Sequence, residues 1–285
     1  MTDPVTPAQD RRFCPLCGKW SDAFRADGKG NPNRGCPNCR SLERHRFLAL
    51  LLPALVTSAN ADVVLDIAPT TTLAALIDRL VPRRVGIDFD PGADGRTVTC
   101  RASLTHLPLA EKSIDLALCS HVLEHIPDDL AAMRELARVL APGGTGVVAV
   151  PQRRGRPTEE DPGASTSERV RRFGQADHVR YYGDDFAARL RASGLADEAI
   201  TPEQLLPAAV VRTCALMPNE TFWLVRPATS AATADFARQD LGAVVLGQLM
   251  QQFAVADAHH VSVRAGRRSS IGWRVLRRVR RAARR

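Results

Sequence analysis

Two cysteine pairs, Cys14-Pro-Leu-Cys17 and Cys36-Pro-Asn-Cys39, constrain what the first forty residues can become. Each pair is spaced C-x2-C, and 18 residues separate them. Two tight turns that each present two sulfurs supply the four thiolates of a tetrahedral zinc site. The span between them, Gly18 to Gly35, is rich in Gly, Asn and charge. Such a composition builds no apolar core, so a metal is expected to hold residues 13–40 together. Four thiolates leave no open coordination position, so zinc at Cys14, Cys17, Cys36 and Cys39 is expected to be structural. The sequence shows no apolar leader and no apolar run long enough to cross a bilayer. The reducing cytoplasm is therefore the expected compartment, and there thiols bind metal rather than form disulfides. Cys100, Cys119 and Cys214 lie outside the pairs and read as small buried hydrophobes.

With 285 residues and 45% apolar content, the chain can form one large domain beside a small one. The net charge of +8 is unevenly placed. Ten arginines and no acid lie between Arg264 and Arg285, so residues 1–263 carry a net charge of −2. Residues 1–12 are polar and are expected to be disordered. Ser41 reads as the N-cap of a helix through Leu52, stopped by Pro53, within a linking stretch 41–58.

From residue 62 onward, short apolar runs alternate with helical stretches. Val63–Ile67, Arg84–Asp88, Ile114–Cys119 and Gly146–Val150 read as strands; Thr71–Leu80, Asp128–Leu140 and Asp184–Ala192 read as helices. This alternation predicts a parallel sheet covered by helices on both faces. Val210–Leu216 and Thr221–Arg226 read as a terminal antiparallel pair around Pro218-Asn219. Open α/β sheets bind ligands at the carboxyl ends of their strands. Those ends carry Asp66, Asp88 and Ser120-His121. An acid after the second strand suits the two hydroxyls of a ribose; the competing reading is that Asp88 caps a turn with Asp90 and Pro91.

Five segments carry a family resemblance: Leu65-Asp66-Ile67-Ala68-Pro69; Gly86-Ile87-Asp88; Leu107-Pro108-Leu109 with Ser113-Ile114-Asp115; His121-Val122-Leu123-Glu124-His125-Ile126; and Arg138-Val139-Leu140-Ala141-Pro142-Gly143-Gly144. In that order they resemble the class I S-adenosylmethionine-dependent methyltransferases, type 11 branch, over about residues 60–228. Phe173-Gly174-Gln175-Ala176-Asp177-His178-Val179-Arg180-Tyr181-Tyr182-Gly183 resembles a motif of a bacterial subgroup that also bears an N-terminal four-cysteine zinc ribbon. The resemblance implies a doubly wound, mostly parallel, seven-stranded Rossmann-like sheet. It implies that Asp66, Ile67, Ala68, Pro69 and Thr70 line the methionine end of the cofactor. Asp88 with Phe89 would hold the ribose side, Ser103 and Leu104 would lie toward the adenine, and Ser120 and His121 would face the sulfonium. This chain departs from the family at two points. The loop Ala68-Pro69-Thr70-Thr71-Thr72 has no glycine, and Ser103 stands where an acid is usual.

For chemistry, His178 is the candidate general base, because imidazole takes protons near neutral pH. The other reading of His178 is a hydrogen-bonder that ties its own loop. His121 and His125 flank Glu124 at a spacing that suits a metal pair, but the sequence shows no third ligand. They read instead as a residue bordering the cofactor and one that packs or caps the following turn. Gln152–Arg172 reads as a charged substrate lid whose acids, Glu159-Glu160-Asp161, could meet a cationic or polyhydroxyl substrate.

Residues 229–262 read as a helical extension. Their apolar stretch Leu241–Phe253 is expected against the catalytic domain or a second subunit. In residues 263–285, Ile271, Val275, Leu276, Val279, Ala282 and Ala283 share one helical sector, and arginines fill the other. Such a helix suits peripheral contact with an anionic inner membrane surface; an RNA backbone or plain solvent are the alternatives. The combined expectation is a methyltransferase acting on an oxygen or nitrogen of a small-molecule or saccharide acceptor. Two rivals are an RNA methyltransferase that holds RNA with its zinc module and a non-catalytic binding protein on the same fold. The near-neutral body disfavours a nucleic-acid partner.

Overall fold

The computed structural model describes residues 11–27, 30–91, 98–228 and 238–263. The reading of residues 263–285 as a basic helix and that of residues 1–12 as disordered therefore fall almost wholly outside the described residues. The chain divides into two compact units. One draws on Met1–Ala54, Thr201–Glu220 and Asp235–Arg285, the other on Leu55–Ile200 and Thr221–Ala234. Thr201–Glu220 thus clusters with the cysteine module, inside the 60–228 stretch that the sequence pattern reads as one domain.

The first unit begins with a hairpin of β1 (Arg12–Cys14) and β2 (Lys19–Ser21), followed by helix α1 (Glu43–Ala59). Ser41 is not the cap of α1. Its side chain turns to the cysteine sulfurs, while the Leu42 N–H donates to His45 Nδ1 at 3.3 Å. Nor does Pro53 stop the helix, which continues six residues beyond it to Ala59. Proline costs one hydrogen bond in mid-helix. Leu51, Leu52, Ala54 and Leu55 on either side of it are all buried, and burying a large aliphatic side chain gains roughly 1.5–3 kcal/mol.

The second unit is built on a seven-stranded sheet. In chain order its elements are β3 (Val63–Ile67), α2 (Thr71–Leu80), β4 (Arg83–Asp88), β5 (Cys100–Arg101), β6 (Ile114–Ser120), a 3₁₀ turn (Leu123–His125), α3 (Asp129–Val139), β7 (Leu140–Ala149), β8 (Glu159–Glu160), α4 (Thr166–Phe173), β9 (Arg180–Tyr181), α5 (Phe186–Ala192) and β10 (Leu195–Ile200). Two short helices, α6 (Pro202–Leu205) and α7 (Ala208–Thr213), belong to the first unit. Strand β11 (Phe222–Pro227) then returns to the sheet, and α8 (Arg238–Val263) completes the first unit. The sheet order is β10-β11-β7-β6-β3-β4-β5, and β11 alone runs against its neighbours. This is the Rossmann-like methyltransferase architecture. Its inner strand β3 is buried throughout, Asp66 included, as a strand with helices on both faces must be.

Val210–Leu216 was expected as a strand and folds instead as α7 and the turn after it. Pro207 leads the segment, Val210 and Val211 are buried on one side of a helix, and Cys214 follows as its cap. Strand β11 pairs with β10 and β7. The Leu241–Phe253 stretch starts against α6, within the 60–228 region, where a Cβ on Gly242 would fall 2.7 Å from Leu205 O, and its far end reaches the cysteine module. Phe253 packs on Phe13 at 4.7 Å and stacks with Trp20 at 5.4 Å, so this helix completes the core of the cysteine module. Among the described residues no helix is long and apolar enough to cross a membrane.

Arg46, on α1, is fully buried. Its guanidinium donates to the carbonyls of Cys214 (2.8 Å), Ser41 (2.7 Å), Arg34 (3.0 Å) and Asn33 (3.3 Å), and also to that of Ala215. One cation thereby ties the cysteine module, α1 and the turn after α7. Replacing it leaves several buried carbonyls unpaired, each at a cost of about 1–3 kcal/mol. Arg46→Leu is expected to destabilise this unit by more than about 3 kcal/mol, measured as a lowered denaturant midpoint. A midpoint within about 0.5 kcal/mol of the parent would contradict the role given to Arg46.

Candidate functional site

The four paired cysteines come together as their spacing predicts. Their sulfurs all lie within 4.8 Å of one another. Cys14 and Cys39 are 3.6 Å apart, and Cys17 and Cys36 are 3.9 Å apart. Sulfurs at about 2.3 Å from a tetrahedral zinc lie about 3.8 Å apart, so this donor set fits the ion. The two knuckles share one geometry. Gly18 N–H donates to Cys14 O and Arg40 N–H to Cys36 O, and both donors have left-handed φ values, +68° and +61°. Ser41 was missed as a partner of this site: its hydroxyl lies 3.3 Å from Cys14 Sγ and 3.2 Å from Cys39 Sγ. Sequence alone gives only its position two residues past the last cysteine. Cys36→Ser is expected to lose the thiolate-bound zinc equivalent and the ordered hairpin, read by metal analysis and near-ultraviolet circular dichroism. Full retention of that equivalent would contradict the four-thiolate assignment.

In the second unit, strand order reverses between β3 and β6, which are neighbours although helix α2 and two further strands separate them in sequence. The loops leaving these strands therefore diverge and open a crevice at their carboxyl ends. After β3, Ala68 adopts φ +51° while its N–H donates to Ile87 O at 2.8 Å. Glycine takes this conformation without strain; alanine does so at a cost of order 1–3 kcal/mol. The glycine-free loop thus keeps the backbone path that a glycine would give. Pro69 is buried behind it. Thr70 occupies the N-cap position of α2 but makes no capping bond. After β6, His121 is also left-handed at φ +57°, its N–H held by Ala149 O at 2.8 Å.

Three buried side-chain oxygens around this crevice have no hydrogen-bond partner: Asp66 Oδ2, Thr70 Oγ1 and Ser120 Oγ. Unpaired buried polar atoms are uncommon in folded proteins and mark a place for a missing partner. Arg84 sits 3.6 Å from Asp66 Oδ2, close enough for attraction but too far for a hydrogen bond. Burial pushes the Asp66 carboxyl up to about 7, opposed by the Arg84 charge. The folded chain therefore holds a proton that the unfolded chain gives up near 3.8, and stability must fall as pH rises from about 4 to about 7. Asp66→Asn is expected to flatten that part of the profile of melting temperature against pH; an unchanged slope would locate the titration elsewhere.

The other cofactor candidates are placed as follows. Asp88 ends β4, and its Oδ1 accepts from the Asp90 N–H at 2.8 Å, so it does hold the turn. A carboxylate can accept about four bonds, so the turn bond and a ribose contact are compatible. Phe89 is 69% exposed, with Arg101 stacked 5.4 Å from its ring. Ser103 Oγ pairs locally with Thr105, at 2.8 Å to its hydroxyl. Ile67 and Leu104 point into the core and offer only backbone.

His178 is buried, and its Nδ1 lies 3.1 Å from Phe173 O, so that nitrogen carries the proton. Burial lowers its pKa and Glu124 opposes the shift, which leaves the ring neutral near pH 7. The Gln152–Arg172 segment is more regular than a loop. Strand β8 pairs with β9, and α4 starts with a Ser165–Glu168 capping box. Its acids are already engaged: Glu159 and Asp161 with Arg172 (2.9 and 2.7 Å), and Glu160 with Arg180 (3.0 Å). These are the acids read from the sequence as able to meet a cationic or polyhydroxyl substrate, and each is engaged by an arginine of its own unit. The close approach of this insert needs Gly183, where a Cβ would fall 2.2 Å from Arg156 O.

Residues 65–148, which run from β3 to β7, match a family described as a methyltransferase domain. A relative from Mycobacterium sp. (strain JLS), named an uncharacterized methyltransferase, is 37% identical over 106 residues, which is 34% of this chain and 41% of that protein. Another of the same name from Mycobacteroides abscessus is 43% identical over 79 residues, covering 24% of this chain and 30% of that protein. The chain thus spans less than half the length of these curated relatives. A solved S-adenosylmethionine-dependent methyltransferase from Mesorhizobium loti is 18% identical, covering 62% of this chain and 96% of that one at a TM-score of 0.41.

Proposed function

We propose that the chain transfers a methyl group from S-adenosylmethionine to an oxygen or nitrogen of a small-molecule or saccharide acceptor. The observation that carries this reading is the set of three unpartnered buried oxygens, on Asp66, Thr70 and Ser120, at the reversal point of a sheet whose residues 65–148 match a methyltransferase domain. The residues present fit the cofactor. Asp66 through Thr70 would receive its methionine end, Asp88 and Phe89 its ribose, Ser103 and Leu104 its adenine, and Ser120 with His121 the region of its sulfonium. Asp66 suits the α-ammonium, since a nearby cation would favour the ionised form of this carboxyl.

The bound cofactor supplies an electrophilic methyl group. The protein's share is alignment of the two reactants and exclusion of water. The left-handed residues Ala68 and His121 fix the paths of the two loops that do this. Neutral imidazole at His178 can accept a proton or donate a lone pair. Four thiolates leave zinc in a structural role in the N-terminal module. A small acceptor is favoured over RNA because residues 1–263 carry a net charge of −2, which offers little to a phosphate backbone. The thiolate cluster suits the reducing cytoplasm.

The ribose assignment is tested by calorimetric titration with S-adenosylhomocysteine. Asp88→Ala is expected to weaken binding at least about tenfold, the equivalent of one good hydrogen bond to a charged group. Unchanged affinity would remove Asp88 from the site.

A further inference from the structure

We propose that Glu124, His125 and His178 form a second metal site, one that takes a divalent transition ion of the zinc, iron(II) or manganese class. Their ligating atoms all lie within 4.8 Å of one another, and all three residues belong to the same compact unit. Glu124 carries the argument. It is completely buried, yet neither carboxylate oxygen has a hydrogen-bond partner. The His121 Nδ1 approaches Glu124 Oε1 to 3.2 Å without the angle of a hydrogen bond. A buried carboxylate without bonds is among the most costly groups a fold can hold, unless an ion completes it.

Each of the two histidines has one ring nitrogen engaged, as ligating histidines do. His178 Nδ1 donates to Phe173 O at 3.1 Å. His125 Nδ1 lies 3.1 Å from Asp177 Oδ2. A ring nitrogen engaged by a carbonyl or a carboxylate leaves the opposite nitrogen, Nε2, with its lone pair available, which is the usual outer arrangement of ligating histidines. The rings meet edge to face with centroids 4.7 Å apart. The backbone holds this geometry firmly. Val179 N–H donates to Glu124 O at 2.9 Å, and buried Arg180 donates to Leu123 O at 2.9 Å and to Ile126 O, clamping the 3₁₀ turn to β9. Two imidazoles and one carboxylate suit zinc or non-haem iron(II), and three protein ligands leave positions open for exchange. His178 then serves as a ligand and not as a free base.

This inference does not depend on the cofactor reading, and its test reads metal rather than activity. Metal-free full-length protein would be titrated with Co²⁺ and followed by optical absorption and equilibrium dialysis. Two equivalents are expected, one with thiolate charge-transfer bands and one without. Glu124→Gln and His178→Gln should each abolish the second equivalent and leave the first intact. Asp177→Asn should weaken the second about 10- to 100-fold. If Glu124→Gln does not fold, half-exposed His125→Gln replaces it. Binding of the thiolate equivalent alone by the parent protein, or a second equivalent that persists in the ligand variants, would overturn the proposal.

Discussion

The reversal of strand order between β3 and β6 is the constraint on which the functional unit depends. Two adjacent parallel strands send their chains in opposite directions, so no helix can cover the carboxyl ends of both. The candidate cofactor residues of this unit follow from that gap. Asp66 and Ser120 end the two strands with buried oxygens that the protein does not satisfy. Ala68 and His121 take left-handed turns just beyond them. The unit tolerates strained backbone, a buried carboxyl with one unpaired oxygen and unpaired hydroxyls within a few residues of the two strand ends. Such concentrations occur where a ligand is expected to complete the structure.

The cysteine module is organised on a different principle. Its knuckles supply metal ligands but little apolar area, and the deficit is met by segments distant in sequence. Phe253 joins Phe13 and Trp20 in an aromatic cluster, and Arg46 binds the carbonyls of Cys214 and Ala215. The module is thus part of a unit that includes residues 201–220 and the C-terminal helix, which explains how so loop-rich a segment can be held in place.

The sequence was most informative where a local rule applies. The mostly apolar run Val63–Ile67, the amphipathic stretch Thr71–Leu80 and the C-x2-C pairs all fold as their patterns predict. It was least informative where distant packing overrides local preference. Pro53 sits inside a helix because the leucines around it are buried, and Val210-Val211 join a helix despite their preference for strands. Long-range partners were also invisible. The engagement of Glu159, Glu160 and Asp161 by arginines, and the approach of His178 to Glu124 and His125, need the fold to bring together residues up to 54 positions apart. The H-x-x-E-H spacing at 121–125 was the one local signal of the latter cluster, and its third member lay beyond any sequence window.

We propose that the carboxyl ends of β3 and β6 receive S-adenosylmethionine. A crystal structure of the protein with S-adenosylhomocysteine tests it most directly. One ligand per chain is expected in the crevice there, with Thr70 Oγ1 and Ser120 Oγ drawn into hydrogen bonds and the ribose against Asp88. A folded protein whose crevice stays empty at saturating ligand, or a ligand bound elsewhere, would contradict it.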